Sequence, residues 1–117
     1  MEIITAITSD GNLTKLNLSD ILFLEYQNKT GVIFQTPNQQ AYLPGTLVQW
    51  VSVLQNEGIE LYVADRHVAL NPHKVEKFDS TLKIAYFTNG KRCTIAMHKY
   101  NELIKILGGM KIDFSLV

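Results

Sequence analysis

Short apolar segments that alternate with turn-forming sequences are the feature that most restricts how this chain can fold. Residues 9–12 (Ser-Asp-Gly-Asn), 28–31 (Asn-Lys-Thr-Gly) and 89–90 (Asn-Gly) each lie between two such segments. Gly, Asn and Asp adopt the backbone conformations that tight turns require, and Asn-Gly is the strongest short-range hairpin signal. The sequence therefore predicts antiparallel hairpins in a mainly β domain.

The predicted strands flank these turns. The three hairpins are predicted over residues 2–8 with 13–18, 21–26 with 32–36, and 82–88 with 91–96. Further strands are predicted at residues 60–64, 68–70 and 74–78, for eight or nine in total. Pro37 and Asn38 are expected to break the pairing of the second hairpin. Residues 110–116 alternate between apolar and polar types, which predicts an edge strand or a loosely held tail.

Two segments show the periodicity of amphipathic helices. In the first, apolar residues recur at i, i+3, i+4 and i+7: Leu47, Trp50, Val51 and Leu54. We expect Gly45 or Thr46 to cap this helix and Gly58 to end it. The second helix is predicted over residues 98–107, before two glycines. The predicted fold class is mainly β with a minor α+β character: small β-sheets, one short helix after the early strands and one C-terminal helix.

Length and composition fit one globular domain over residues 1–117. Of these residues 46% are hydrophobic and 19% are charged, so one core can form and a disordered chain is excluded. No apolar run reaches the roughly 20 residues that span a bilayer, and the N-terminus lacks the features of a signal peptide. The expected location is the cytoplasm, without membrane contact. The single cysteine, Cys93, excludes an internal disulfide.

The formal net charge is zero, but it is unevenly distributed along the chain. Residues 1–65 carry two lysines against seven acidic residues, a net charge of −5, whereas residues 66–111 carry nine basic residues against three acidic ones, a net charge of +6. Overall neutrality argues against a polyanionic partner. A basic half of the chain favours one, provided that its side chains converge on one face after folding.

The sequence contains none of the common motifs of nucleotide, metal or hydrolytic sites. Asp65 and His67 fall on one face of a strand, and Cys93 with a histidine has the composition of a nucleophile and base. Neither pair has an orienting partner in the sequence, so we interpret Cys93 as a small residue of a buried strand. The prediction is a protein that is not an enzyme and uses no cofactor and no metal.

Residues 60–75 are similar to the central motif of the LytTR DNA-binding domain family. In that family a strand leads into an Arg-Ser or similar pair, followed by an apolar triplet, an Asn and a short loop. Here Arg66 and His67 stand at the positions of the pair. Residues 68–70 (Val-Ala-Leu) stand at those of the triplet, and Asn71 follows them.

The flanking segments agree with the same family in order and spacing. Residues 20–25 (Asp-Ile-Leu-Phe-Leu-Glu) resemble its early strand, and Thr46 with Leu47 resembles the opening of its helix. Residues 89–98 and the closing helix resemble its C-terminal part. The resemblance extends over residues 13–107.

The resemblance implies a β-rich domain of bacterial transcription regulators that inserts loops, rather than a recognition helix, into DNA grooves. Its implied partner is double-stranded DNA with paired repeats, bound by a homodimer. The family's domain commonly follows a phosphorylated receiver domain, for which this chain has no room. We therefore expect a stand-alone regulator that is controlled by dimerisation, by a regulatory protein partner or by its own abundance.

The resemblance also implies the DNA-contacting residues. They are Lys29, Arg66, His67, His98 and Lys99. The guanidinium of Arg66 suits two hydrogen bonds to guanine or a phosphate contact, and its alternative role is a surface ion pair with Asp65. His67 stands where the family usually has serine, and Ala96 replaces another serine. Asn71 is interpreted as a structural residue that holds a turn.

Sequence analysis thus predicts a sequence-specific DNA-binding transcription regulator. In this hypothesis Lys29 contacts phosphate, while His98, with Lys99 beside it, stands where the family tends to carry an arginine. The alternative is a LytTR-shaped protein-interaction module that has lost or weakened DNA binding. The zero net charge, the replaced serines and the lack of a receiver domain favour that alternative.

Overall fold

A computed structural model of the chain describes residues 2–109 and the backbone of residues 115–116. Seven strands form a first, antiparallel sheet in the order β2-β1-β5-β4-β3-β7-β6. They are β1 (Ile3–Ile7), β2 (Leu13–Asn17), β3 (Phe23–Gln27), β4 (Gly31–Gln35), β5 (Gln40–Leu43), β6 (Tyr62–Asp65) and β7 (Val68–Leu70).

A second, smaller sheet and two helices complete the described part of the chain. The strands of this sheet are β8 (Lys77–Asp79), β9 (Ile84–Tyr86), β10 (Arg92–Thr94) and β11 (Ser115–Leu116), in the order β10-β9-β8-β11. The helices are α1 (Leu47–Asn56) and α2 (Met97–Gly109). The predicted fold class is confirmed. In the described residues, neither helix has the length and apolar character needed to span a membrane.

The predicted hairpins form, because their turn residues adopt left-handed backbone conformations. Between β9 and β10, Asn89 has φ 59° and Gly90 has φ 73°, and the amide of Lys91 donates to the carbonyl of Thr88. Two successive positive φ values are the signature of a type I′ turn. Gly31 has φ 107°, and a Cβ atom there would lie 2.5 Å from the carbonyl oxygen of Leu43, so a side chain would clash with the neighbouring strand.

The strand β5 was not predicted. Pro37 and Asn38 end the pairing of β3 with β4, as predicted. After this turn β5 pairs with the other edge of β4, with Gln35 opposite Gln40 and Val32 opposite Leu43. The strand is short and begins with a polar residue, so its sequence gives no clear alternation.

The helix α1 begins and ends where the sequence predicts. The Oγ1 atom of Thr46 accepts a hydrogen bond from the amide of Gln49 at 3.2 Å, and the Oε1 atom of Gln49 accepts one from the amide of Thr46 at 3.0 Å. This reciprocal capping box satisfies two amides at the helix start. Trp50 donates to the carbonyl of Pro44 and packs edge-on against Phe34, which agrees with its place on the apolar face of the predicted helix.

The first sheet is the middle layer between two separate cores. Successive residues of β3 point to opposite faces, and both are fully buried: Leu24 faces the core under α1, whereas Phe23 faces the core formed with the second sheet and α2. Ala69 and Leu70 of β7 divide in the same way. The start of β3 and all of β7 are therefore buried on both sides, which explains why these segments are continuously apolar.

The C-terminal part agrees with the prediction in outline. The helix α2 begins one residue before the predicted start and includes both glycines. Residues 115–116 pair in parallel with β8, as an edge strand would. Residues 110–114, over which the same strand was predicted, lie outside the described residues.

Polar contacts join the turn after β9 to the turn after β4. The side-chain amide of Asn89 donates to the carbonyl of Pro37 at 2.9 Å, and the ammonium of Lys91 donates to Oε1 of Gln35 at 2.6 Å. The half-buried Glu25 lies near this lysine. Burial raises the pKa of Glu25, against the opposing effects of the Lys91 charge and a hydrogen bond from Gln35. We call Glu25, Gln35, Asn89 and Lys91 the polar seam.

Replacement of Thr46 by Ala is expected to lower the free energy of unfolding by about 1 kcal/mol, because it removes the side-chain half of the capping box. Chemical denaturation would measure the loss. Ser52→Ala, an exposed hydroxyl in the middle of the same helix, is the matched control and should change stability by less than about 0.5 kcal/mol. Equal effects of the two substitutions would contradict the capping role.

Glu25→Gln is expected to stabilise the protein at neutral pH. The folded-state pKa of Glu25 lies above its ordinary value, so the stability that the neutral carboxyl provides is lost as the pH rises through that pKa. The glutamine avoids this loss. Denaturation at pH 7 and at pH 3.5 should show a stabilisation that shrinks at the lower pH, whereas Glu2→Gln, at an exposed position, should show none. A stabilisation that is the same at both pH values would contradict this cause.

Candidate nucleic-acid interface

Two turns of the first sheet lie side by side at one end of the molecule. Strand β3 pairs with β7 so that Glu25 is opposite Val68, and the amide of Tyr26 donates to the carbonyl of His67 at 2.8 Å. The turn that follows β3 therefore lies next to the turn between β6 and β7. Lys29 in the first turn is exposed, as are Arg66 and His67 in the second.

The start of α2 lies against the same end of the sheet. The amide of Ala96 donates to the carbonyl of Ala64 at 2.8 Å, one residue before the end of β6. Further along, the hydroxyl of Tyr62 donates to the carbonyl of Lys99 at 3.5 Å, and the Lys99 ammonium lies 5.8 Å from the Tyr62 ring centroid. His98 is exposed and Lys99 is half-buried. We call the surface formed by Lys29, Arg66, His67 and His98 the loop end. Lys99 lies farther along α2, beside Tyr62, which is opposite Leu70 at the other end of β6.

Arg66 is free of the ion pair that was its alternative role. Among residues 2–109 the described ion pair is between Nε2 of His73 and Oε2 of Glu60, at 3.0 Å, and it does not involve Arg66. The carboxylate of Asp65 instead accepts a long hydrogen bond, 3.4 Å, from the amide of His67. The guanidinium of Arg66 is therefore available to an external acceptor.

The ring of His67 stacks on the ring of Tyr26, with 5.7 Å between centroids and an interplanar angle of 28°. Sequence analysis did not identify Tyr26, because its contact depends on the register between β3 and the turn before β7. The stack limits the orientations available to the imidazole. A serine at this position would have no such contact.

The basic residues of the second half do not all converge. Lys74 follows the far end of β7, and Lys91 bonds to Gln35 in the polar seam, so both lie away from the loop end. These two residues therefore do not meet the condition that the basic side chains converge on one face. Lys83 lies closer, because its carbonyl accepts from the amide of Ile95, two residues before α2.

Several carboxylates lie near the loop end, among them Glu25, which is opposite Val68. Asp65 precedes Arg66, and Glu102 lies one turn after His98 on α2. Burial, followed by the nearby charge of Glu102, raises the pKa of Tyr62 to about 12, so this phenol stays neutral at physiological pH.

The cysteine that sequence analysis considered as a nucleophile and the asparagine that it interpreted as structural are both buried. Cys93 is 5% exposed in β10, and burial raises the pKa of its thiol, so it is the buried strand residue that the sequence predicts. Asn71, which is 7% exposed, accepts a hydrogen bond from the amide of His73 through Oδ1 and has the predicted structural role. In the part of the chain that the structure describes, His, Cys, Asp and Glu side chains form no cluster suited to a metal.

Comparisons with known proteins identify the family and the fold. The sequence profile of the LytTr DNA-binding domain matches residues 11–108. A solved structure described as the LytTr DNA-binding domain of a methyl-accepting/DNA response regulator from Bacillus cereus superposes with a TM-score of 0.73. It covers 93% of this chain and 98% of its own length at 17% sequence identity, which is a similarity of fold. No curated protein matches the sequence significantly.

Proposed function

Because the chain belongs to the LytTr DNA-binding domain family, we propose that it regulates transcription by sequence-specific contacts between its loop end and double-stranded DNA. The family is one of DNA-binding domains rather than of enzymes. The observation that carries the proposal is the convergence of two turns and one helix start. The hydrogen bonds from Tyr26 to His67 and from Ala96 to Ala64 support it.

The loop end has the chemistry that a DNA backbone requires. Lys29 and Arg66 are exposed, and their binding to phosphates would release condensed counterions from DNA. Phosphate contacts of this kind supply affinity and fix orientation, but they carry no sequence information.

Sequence preference in this proposal comes from Arg66 and His98. A guanidinium donates two parallel hydrogen bonds to O6 and N7 of guanine in the major groove. His98 lies at the first turn of α2 and donates one hydrogen bond through its imidazole. His67 is held by Tyr26 and contacts phosphate or a base edge beside Arg66.

A homodimer on paired repeats completes the proposal. One copy of the loop end is small and reads only a short sequence. Two copies related by a twofold axis would read two repeats whose spacing follows the DNA helical repeat of about 10 bp. A selection of bound duplexes from a random pool tests the class of function, because it should recover two related half-sites.

The second candidate is a protein-interaction module of the same shape. The positions of Lys74 and Lys91, away from the loop end, favour it because they reduce the local charge. Salt dependence separates the two candidates. DNA binding gives a slope of about −0.9 in log affinity against log salt for each neutralised phosphate, and a protein partner gives a shallower one.

Arg66→Ala is expected to weaken binding to the selected duplex by about 1 to 3 kcal/mol and to relax the preference at one base position. Fluorescence titration against duplexes with single base changes would measure both effects. Arg92→Ala is the matched control, because Arg92 is exposed on the second sheet. An unchanged base preference in Arg66→Ala would overturn the assignment of this residue.

Lys29→Ala is expected to reduce the magnitude of the salt slope by about 0.9, since it removes one phosphate contact. Its control is Lys74→Ala, a removal of the same charge at the other end of the first sheet. Titrations at four or five salt concentrations give the slopes. A similar decrease in both variants would show a general effect of net charge rather than a contact at Lys29.

A further inference from the structure

Two large apolar side chains are exposed near the loop end. The exposed fraction is 80% for Met97 and 61% for Leu82. The segment before α2 links their positions, because the amide of Ile95, two residues before Met97, donates to the carbonyl of Lys83, next to Leu82. Single exposed apolar residues are ordinary on protein surfaces, whereas a group of them at one place marks a binding surface.

Met97 is the more exposed of the two, and hydrogen bonds hold the backbone around it in place. It is the first residue of α2. The amide of the preceding Ala96 bonds to β6, and the amide of Lys99 bonds back to the carbonyl of Ala96 at 2.9 Å. The backbone under Met97 is therefore fixed, while its side chain extends into solvent. A flexible, polarisable thioether at such a position adapts to an apolar partner.

The surrounding charges decide what that partner is. His98 and Lys99 follow Met97 directly, and Arg66 and Lys83 lie on the neighbouring turns. A second copy of the same surface would bring these like charges together, which is unfavourable. DNA combines the two features that this surface requires, because it carries phosphates along its backbone and an apolar group, the C5-methyl of thymine, in its major groove.

We propose that Met97 is a specificity-determining residue that packs against the C5-methyl group of a thymine beside the bases contacted by His98 and Arg66. The assignment rests on the proposed function and adds to it an apolar base contact, next to the hydrogen-bonding ones. The chain therefore prefers a thymine at one position of each repeat.

The test removes the methyl group from the DNA and the thioether from the protein in turn. Duplexes selected by the wild-type chain are synthesised with each thymine replaced in turn by deoxyuridine, which lacks only the methyl group. At one position per repeat this replacement should weaken wild-type binding about three- to tenfold. Met97→Ala should bind the thymine duplex more weakly by a similar factor and should be insensitive to the replacement, whereas Met97→Leu should keep most of the sensitivity.

The control is Val48→Ala, which shortens a side chain that is 77% exposed on α1 and should bind like the wild type. Thermal unfolding of each variant verifies its fold. Failure of the wild-type chain to select any duplex would overturn the proposed function itself. Selection of a duplex that is insensitive to deoxyuridine, or an equal sensitivity in Met97→Ala and the wild type, would overturn the role of Met97 alone.

Discussion

The antiparallel pairing of β3 with β7 is the interaction on which the rest of the structure depends. It places Phe23 opposite Leu70 in the core formed with the second sheet and α2, and Leu24 opposite Ala69 in the core under α1. The same register continues into the hydrogen bond from Tyr26 to the turn before β7. One ladder of hydrogen bonds thus both divides the apolar interior and aligns the two turns of the loop end.

Much of this fold could be predicted from local sequence, because hairpin turns and helix caps depend on a few adjacent residues. The type I′ turn at Asn89 and the capping box at Thr46 are examples. The strand β5 could not be predicted, since its pairing with β1 and β4 is set by neighbours that are distant in sequence. Tyr26 was missed for the same reason.

The candidate site was predictable only in its composition. The resemblance selected Lys29, Arg66 and His98 as residue types at particular positions, and these do lie at one end of the molecule. The distribution of charge was not predictable, because the hairpin that carries Lys91 places this residue at the opposite end of the molecule, in the polar seam. Nor does any periodicity of the sequence mark Met97 as exposed.

The loop end takes its parts from two layers of the molecule, since Arg66 belongs to the first sheet and His98 to the helix packed with the second. The separation of these layers is set by aromatic packing inside the second core, where the rings of Phe23 and Phe87 lie 5.0 Å apart and those of Phe78 and Tyr100 lie 6.0 Å apart. The volume of the side chains in this core therefore sets the distance between Arg66 and His98, the two residues that would contact one groove. A change of ring size there would alter the match to the pitch of the double helix while leaving every surface residue in place.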